Sequence, residues 1–155
     1  MARGERPLVS ATTRGALLTV ATTHALYAPQ PDGSGGVAYD RLPWHDVLGA
    51  TWDAEAEALR LEVADGPRRE RRVLVLDEPG LVPETVRERV QASIVLTRHV
   101  PLVGRRGVRV VARRAAGADE LVWHVVPDAG VDPDHPDVRD AVALAVRAAR
   151  EEVGG

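Results

Sequence analysis

The feature that most limits the possible folds is a series of short strand-like runs, one about every 8 to 12 residues, through the first half of the chain. The runs are rich in β-branched or alternating residues, and they cover residues 8–13, 16–23, 24–29, 37–43, 47–53, 58–65 and 71–78. Turn signals separate them, most clearly the loop QPDGSGG. This spacing predicts antiparallel strands in a meander, a barrel or a sandwich.

The hydrophobic period changes after this region. Val86, Val90 and Ile94 recur every four residues behind Pro83, which predicts a helix over 83–98 that ends before Pro101. Two further strand-like runs, 107–114 and 120–127, predict a β-hairpin. An amphipathic helix is predicted to follow from Pro136, and its apolar stripe comprises Val138, Val142, Ala145, Ala149 and Val153.

The composition suits one globular domain with an aliphatic core. The chain has 155 residues, 45% of them hydrophobic, but only 3% are aromatic and none is phenylalanine. A chain of this length is typical of a single domain, and we find no long linker. We therefore predict one α+β domain over residues 1–155, with Val, Leu and Ala filling the core and Trp44, Trp52 and Trp123 as its few large side chains.

The charge and residue content argue against several classes of protein. The net charge of -3 lacks the basic excess of a nucleic-acid binder. The chain has no cysteine, which excludes disulfides, thiolate metal sites and cysteine nucleophiles. No apolar run approaches the 18 or so residues that span a bilayer, and residues 1–10 lack the apolar region of a signal peptide. We expect a cytoplasmic protein without cofactors.

The stretch RLPWHDVLGATWD, residues 41–53, contains two of the three tryptophans and a His-Asp pair. Pro43 interrupts the extended pattern, which predicts a corner where Trp44 folds over an apolar face. A catalytic His45 would need Asp46 to orient its ring, but neighbouring residues of an extended strand point to opposite faces. No nucleophile motif such as G-x-S-x-G is present. We therefore predict no catalytic residue.

The first part of the chain resembles a known superfold. The segments GER (4–6), LLTVATTHALYAP, YDRLPWHDV, TWD, LRLEV and RRVLVLD, followed by a helix, are similar to PH/GRAM-like domains. The resemblance covers about residues 4–98 and implies a bent, partly open antiparallel β-barrel capped by one helix. Residues 101–153 would then be an extension made of a β-hairpin and an amphipathic helix. The whole chain is also similar to actinobacterial proteins. The resemblance implies a binding or scaffold module rather than an enzyme.

The most basic segment is GPRRERR, residues 66–72, which we place on a turn between two predicted strands. PH-like domains that bind phosphoinositides often use basic residues on such loops. The candidate ligand-binding residues are Arg68, Arg69, Arg71 and Arg72. The alternative is a solvated hairpin tip in which Glu70 interrupts the basic run.

The most acidic loop is DAGVDPDHPD, which spans Asp128 to Asp137. Its carboxylates would suit Ca²⁺ or Mg²⁺. An EF-hand beginning at Asp132 fails, because Asp137 stands at the sixth position and Ala143 at the twelfth, where glycine and glutamate are required. The alternative is a loop entering a helix N-terminus, where acids are favourable, and we predict no metal site.

Three functions follow from these patterns. The leading hypothesis is a non-enzymatic interaction module that presents an edge strand, a loop or a groove to a partner protein, or to a second copy through an exposed strand edge. The alternative is a membrane-surface module whose arginines contact anionic headgroups. The third is a small enzyme with a site around His45, His124 and the loop Asp128–Asp137.

Overall fold

The computed structural model describes residues 2–31, 33–66 and 68–154 and has an α+β fold. The strands are β1 (Pro7–Thr13), β2 (Leu18–Thr22), β3 (Ala25–Pro31), β4 (Val37–Pro43), β5 (Val47–Asp53), β6 (Ala58–Asp65), β7 (Arg68–Glu78), β8 (Ile94–Val103), β9 (Arg106–Arg114) and β10 (Leu121–Pro127). The helices are α1 (Val82–Ser93) and α2 (Pro136–Glu152). None of the helices in the described residues is long and apolar enough to cross a membrane.

The chain divides into two compact units. Unit 1 comprises Met1–Ser93 and Ala115–Glu120, and unit 2 comprises Ile94–Arg114 and Leu121–Gly155.

Unit 1 contains an antiparallel sheet with the strand order β4-β3-β2-β1-β7-β6-β5. Two meanders, β1–β4 and β5–β7, meet where β1 pairs with β7 at Thr12–Glu78 and Thr13–Leu76. In the described residues β4 and β5 remain the two edges, so the sheet does not close into a barrel.

This sheet is strongly bent. The Arg72 guanidinium on β7 lies 2.6 Å from the Asp40 carboxylate on β4. The two strands are four positions apart in the sheet, which would separate them by about 19 Å if the sheet were flat. The bend encloses a core that is almost entirely aliphatic, and its members include Leu26, Leu42, Leu59, Leu61, Leu76, Val47, Val82 and Val86.

Helix α1 follows β7 and packs on β5. Val82, Val86 and Val90 form its buried stripe. The predicted stripe is confirmed at Val86 and Val90, whereas Ile94, its third predicted member, lies in β8. The predicted end at residue 98 is wrong, because α1 stops at Ser93 and residues 94–103 form β8. Ile94 to Thr97 is a β-favouring run, and Pro101 is tolerated because β8 is an edge strand that, among the described residues, pairs only with β9.

Unit 2 is an antiparallel sheet with the order β10-β9-β8, on which α2 packs. The predicted hairpin is confirmed as β9–β10, and β8 adds a third strand that we did not predict. The apolar stripe predicted for α2 is buried or half-buried, with Ala149 the most enclosed. Arg150 stacks over the Trp123 ring at 5.7 Å, and Arg98 on β8 pairs with Glu152 of α2.

Candidate functional site

The Pro43 corner is a single 3-10 turn, Trp44–Asp46, that carries an indole into the core of unit 1. Trp44 is only 2% exposed, and its Nε1–H donates a hydrogen bond to the Thr22 carbonyl at 2.9 Å. The prediction of a corner with a buried tryptophan is confirmed. The expectation that His45 and Asp46 point to opposite faces is wrong, because the turn brings Nε2 of His45 and Oδ2 of Asp46 within 3.9 Å of each other. That distance still exceeds a hydrogen bond.

The four candidate arginines lie on strand β7 rather than on a turn, because β7 pairs with β6 as far as Arg68 opposite Asp65. Successive side chains of a strand alternate between faces, so the four do not form one cluster. Arg69 and Arg71 both approach Glu62, at 3.6 and 4.0 Å. The Arg72 side chain lies on the other face of β7 and forms an ion pair with Asp40. Three of the four therefore already contact a carboxylate.

The acidic loop is used within unit 2. One oxygen of Asp128 lies 2.9 Å from Nε2 of His99 and accepts a hydrogen bond from the Gly107 amide at 2.8 Å. The hydrogen bond with His99 has the largest effect on the pKa of Asp128, followed by the one with the Gly107 amide, and both lower it. Asp128 therefore ties β8 and β9 to the end of β10. Sequence reasoning missed this pair because it placed His99 at a helix end.

The remainder of the loop forms turns and a helix cap. Asp132 Oδ1 accepts from the Asp134 amide at 2.9 Å, and His135 Nδ1 accepts from the Asp137 amide at 3.2 Å to cap α2. Among the described residues no group of three or more potential ligands could hold a metal ion. The third hypothesis was an enzyme site around His45, His124 and the loop Asp128–Asp137. The structure places these residues in two different units: His45 belongs to unit 1, whereas His124 and the loop belong to unit 2.

A polar cluster around Glu5 anchors the start of the chain to β2 and β3. The Glu5 side chain is fully enclosed and accepts hydrogen bonds from the Thr22 hydroxyl at 2.6 Å, the Ala2 amide at 2.7 Å and the Tyr27 hydroxyl at 3.2 Å. Burial raises its pKa, but the hydrogen bonds and the nearby Arg41 guanidinium outweigh that effect and lower the pKa to about 2.

Glu5→Gln is expected to lower the free energy of unfolding, and the size of the loss is expected to depend on pH. Because the pKa of Glu5 falls on folding from 4.5 to about 2, its contribution is complete above pH 4.5 and is lost as the pH falls toward 2. We expect a loss of about 2 kcal/mol at neutral pH, less than the pKa difference alone implies, because the Arg41 side chain is 40% exposed and solvent screens its charge. Urea unfolding between pH 7 and pH 2 measures this, with Glu70→Gln on β7 as the control. An unchanged pH profile in Glu5→Gln would contradict the assignment.

The surface of unit 1 contains several grooves. One of them, of about 630 Å³, lies between the turn at Arg14 and Gly15, the β3–β4 hairpin and β7 around Val73. Its cationic side chain, Arg14, is already 3.7 Å from Asp77. A smaller groove of about 360 Å³ lies on the outer face of β5–β7.

A groove of about 460 Å³ runs between β5 and α1, and we call it the β5–α1 groove. The sheet supplies an apolar floor of Ala50, Trp52 and Leu59. The exposed side of α1 supplies Glu84, Arg87 and Glu88. An apolar floor beside a few charged groups is the usual composition of a binding groove.

Strand β5, beside this groove, is an edge of the sheet. Among the described residues it pairs only with β6, so the backbone groups on its outer side have no strand partner. Side chains alternate along β5: Ala50 and Trp52 lie in the groove, whereas Thr51 is exposed on the other face. A free strand edge and a groove with an apolar floor therefore lie side by side.

No protein-family model matches the chain, and comparisons with curated proteins and with solved structures find no match either.

Proposed function

We propose that unit 1 is a protein-binding module that takes an extended segment of a partner along β5, within the β5–α1 groove. The observation that carries the proposal is the free edge of β5 beside an apolar floor. An added strand would satisfy the backbone groups on the outer side of β5 and place alternate side chains over Ala50, Trp52 and Leu59. Glu84, Arg87 and Glu88 would select among segments by their charges.

The resemblance to PH/GRAM-like domains agrees with this proposal. The resemblance implies a bent, partly open antiparallel barrel and one helix, and unit 1 has a bent antiparallel sheet followed by α1. Such domains bind peptides, proteins or lipid headgroups. We favour protein over headgroups because Arg69, Arg71 and Arg72 already contact carboxylates, which leaves less positive charge for an anionic surface.

The test is selection of a displayed library of random peptides on the folded chain, followed by fluorescence anisotropy with the enriched peptides. Ala50→Arg places a long charged side chain in the groove, and we expect it to weaken binding at least about tenfold, or 1.4 kcal/mol. Thr51→Arg, one residue away on the exposed face, should bind as wild type does. Circular dichroism confirms that both variants are folded.

Two outcomes would overturn the proposal. One is that no peptide is enriched, and the other is that Ala50→Arg and Thr51→Arg bind equally well. Binding to phosphatidylserine vesicles that is lost when Arg68, Arg69, Arg71 and Arg72 are changed to Glu would favour the membrane-surface alternative instead.

A further inference from the structure

The two edges of the unit 2 sheet differ in their protection against pairing. β8 carries Arg98 and Pro101, and its register with β9 shifts twice, between Ile94 and Leu96 and between Pro101 and Val103. Charged side chains, proline and bulges are the devices by which edge strands avoid pairing with other chains. The edge at β8 is therefore a protected one.

The other edge, β10, has none of these devices between Leu121 and Val126. The strand has the sequence LVWHVVP, contains no Arg, Asp or Glu, and reaches proline only at its last residue. It pairs with β9 residue by residue from Leu121 to Pro127 without a register shift. Among the described residues β9 is its only strand partner, and Val125 is 37% exposed. A regular, apolar edge of this kind is a template for a further strand.

We propose that β10 pairs antiparallel with β10 of a second copy of the chain, so that two unit 2 sheets join into one continuous sheet about a two-fold axis. An interface of this kind is closed and self-complementary, as in most homodimers. It lies in unit 2 and is independent of the β5–α1 groove in unit 1.

The strand itself points to a second copy as the occupant. Leu121, Trp123 and Val125 share one face of β10, because they lie opposite Arg114, Ala112 and Val110 of β9. In an antiparallel pair, residues directly opposite each other share a face. Pairing centred on position 124 sets Trp123 against Val125 of the second copy, and pairing centred on position 123 sets Leu121 against it. In both registers Val125 meets an apolar side chain, a favourable cross-strand contact.

The test is the absolute mass in solution, by light scattering behind a sizing column, from micromolar to millimolar concentration. We expect a dimer for the wild-type chain and a monomer for Val125→Lys, because a lysine at this position leaves its charge in the strand interface. Val95→Lys is the matched control: Val95 is 40% exposed on the protected edge, and this variant should remain dimeric.

Cross-linking tests the same interface without a charged substitution. The described residues contain no cysteine, so a single introduced cysteine is the sole site for a bismaleimide whose spacer is long enough to join the two copies of residue 125 in both registers. Val125→Cys should give a covalent dimer at high yield, and Val95→Cys should not. A wild-type chain that is monomeric at every concentration, or a folded Val125→Lys variant that remains dimeric, would overturn the proposal. Peptide binding in the β5–α1 groove should be unchanged in Val125→Lys, so each proposal can fail without the other.

Discussion

Gly107→Ala is expected to lower the free energy of unfolding of unit 2 by more than about 3 kcal/mol. Gly107 is buried in β9, directly opposite Pro101 of β8. A Cβ atom there would overlap the carbonyl oxygen of Val100 and lie 2.7 Å from its carbonyl carbon and 2.8 Å from Cα of Pro101. These are backbone atoms of a paired strand, so relief of the overlap would break the β8–β9 ladder. Urea unfolding with amide hydrogen exchange in residues 94–114 measures the loss.

The Gly107 amide also donates a hydrogen bond to the Asp128 carboxylate, so displacement of β9 would weaken the contact between Asp128 and His99 as well. Gly49→Ala is the matched control. Gly49 lies in β5 with no atom within 4 Å of the added methyl group and without a positive φ. The control should be neutral or stabilising by about 0.5 kcal/mol. If Gly107→Ala unfolds at the wild-type urea concentration, β8 does not approach β9 as closely as described.

Trp44→Ala is expected to destabilise unit 1 by about 3 to 5 kcal/mol. The indole belongs to a core that is otherwise aliphatic, so its removal leaves a cavity that the surrounding side chains can fill only in part. The substitution also leaves the Thr22 carbonyl without the indole N–H. Because a domain is typically stable by about 5 to 15 kcal/mol, the variant is expected to be marginal at 37 °C. Chemical unfolding followed by circular dichroism gives the difference.

Trp44→Phe separates the two contributions. Phenylalanine keeps most of the ring volume but has no N–H, so we expect it to cost about 1 to 2 kcal/mol, chiefly the lost hydrogen bond. An alanine variant that is no less stable than the phenylalanine variant would show that filling the core is not the role of Trp44.

Strand bounds were predictable where local chemistry marks them. The predicted ranges 37–43, 47–53 and 58–65 coincide with β4, β5 and β6. Pro43 marks the end of β4, and the alternation of Leu59, Leu61 and Val63 marks the buried face of β6. These signals lie within a few residues of the elements that they define, so no knowledge of distant partners was needed.

The errors lie where the outcome depends on a distant partner. Ile94 continues the spacing of Val86 and Val90, so the local period extends the helix, but pairing with β9 draws residues 94–98 into β8. The segment Arg68–Arg72 has the composition of a solvated turn, yet pairing with β6 makes it a strand. In both places the backbone hydrogen bonds of a ladder outweigh the local preference.

The candidate site shows the same division. Trp52 and α1 were both predicted, but the groove between them exists only because the bend of the sheet brings the end of β5 beside the helix. The His99–Asp128 pair likewise needs three strands in register. The PH-like assignment stays a prediction, and the protein-binding role is a proposal that the peptide selection tests.

Local patterns were enough to predict the α+β class, the positions of most strands, the apolar stripe of α2 and the burial of Trp44, because each follows from a period or a turn residue within a short window. The folded chain was needed to show where α1 ends, which arginines meet carboxylates, that the sheet of unit 1 bends without closing, and which strand edges have no strand partner among the described residues. Those outcomes depend on hydrogen bonds and ion pairs between residues far apart in the chain, and no local pattern encodes such partners.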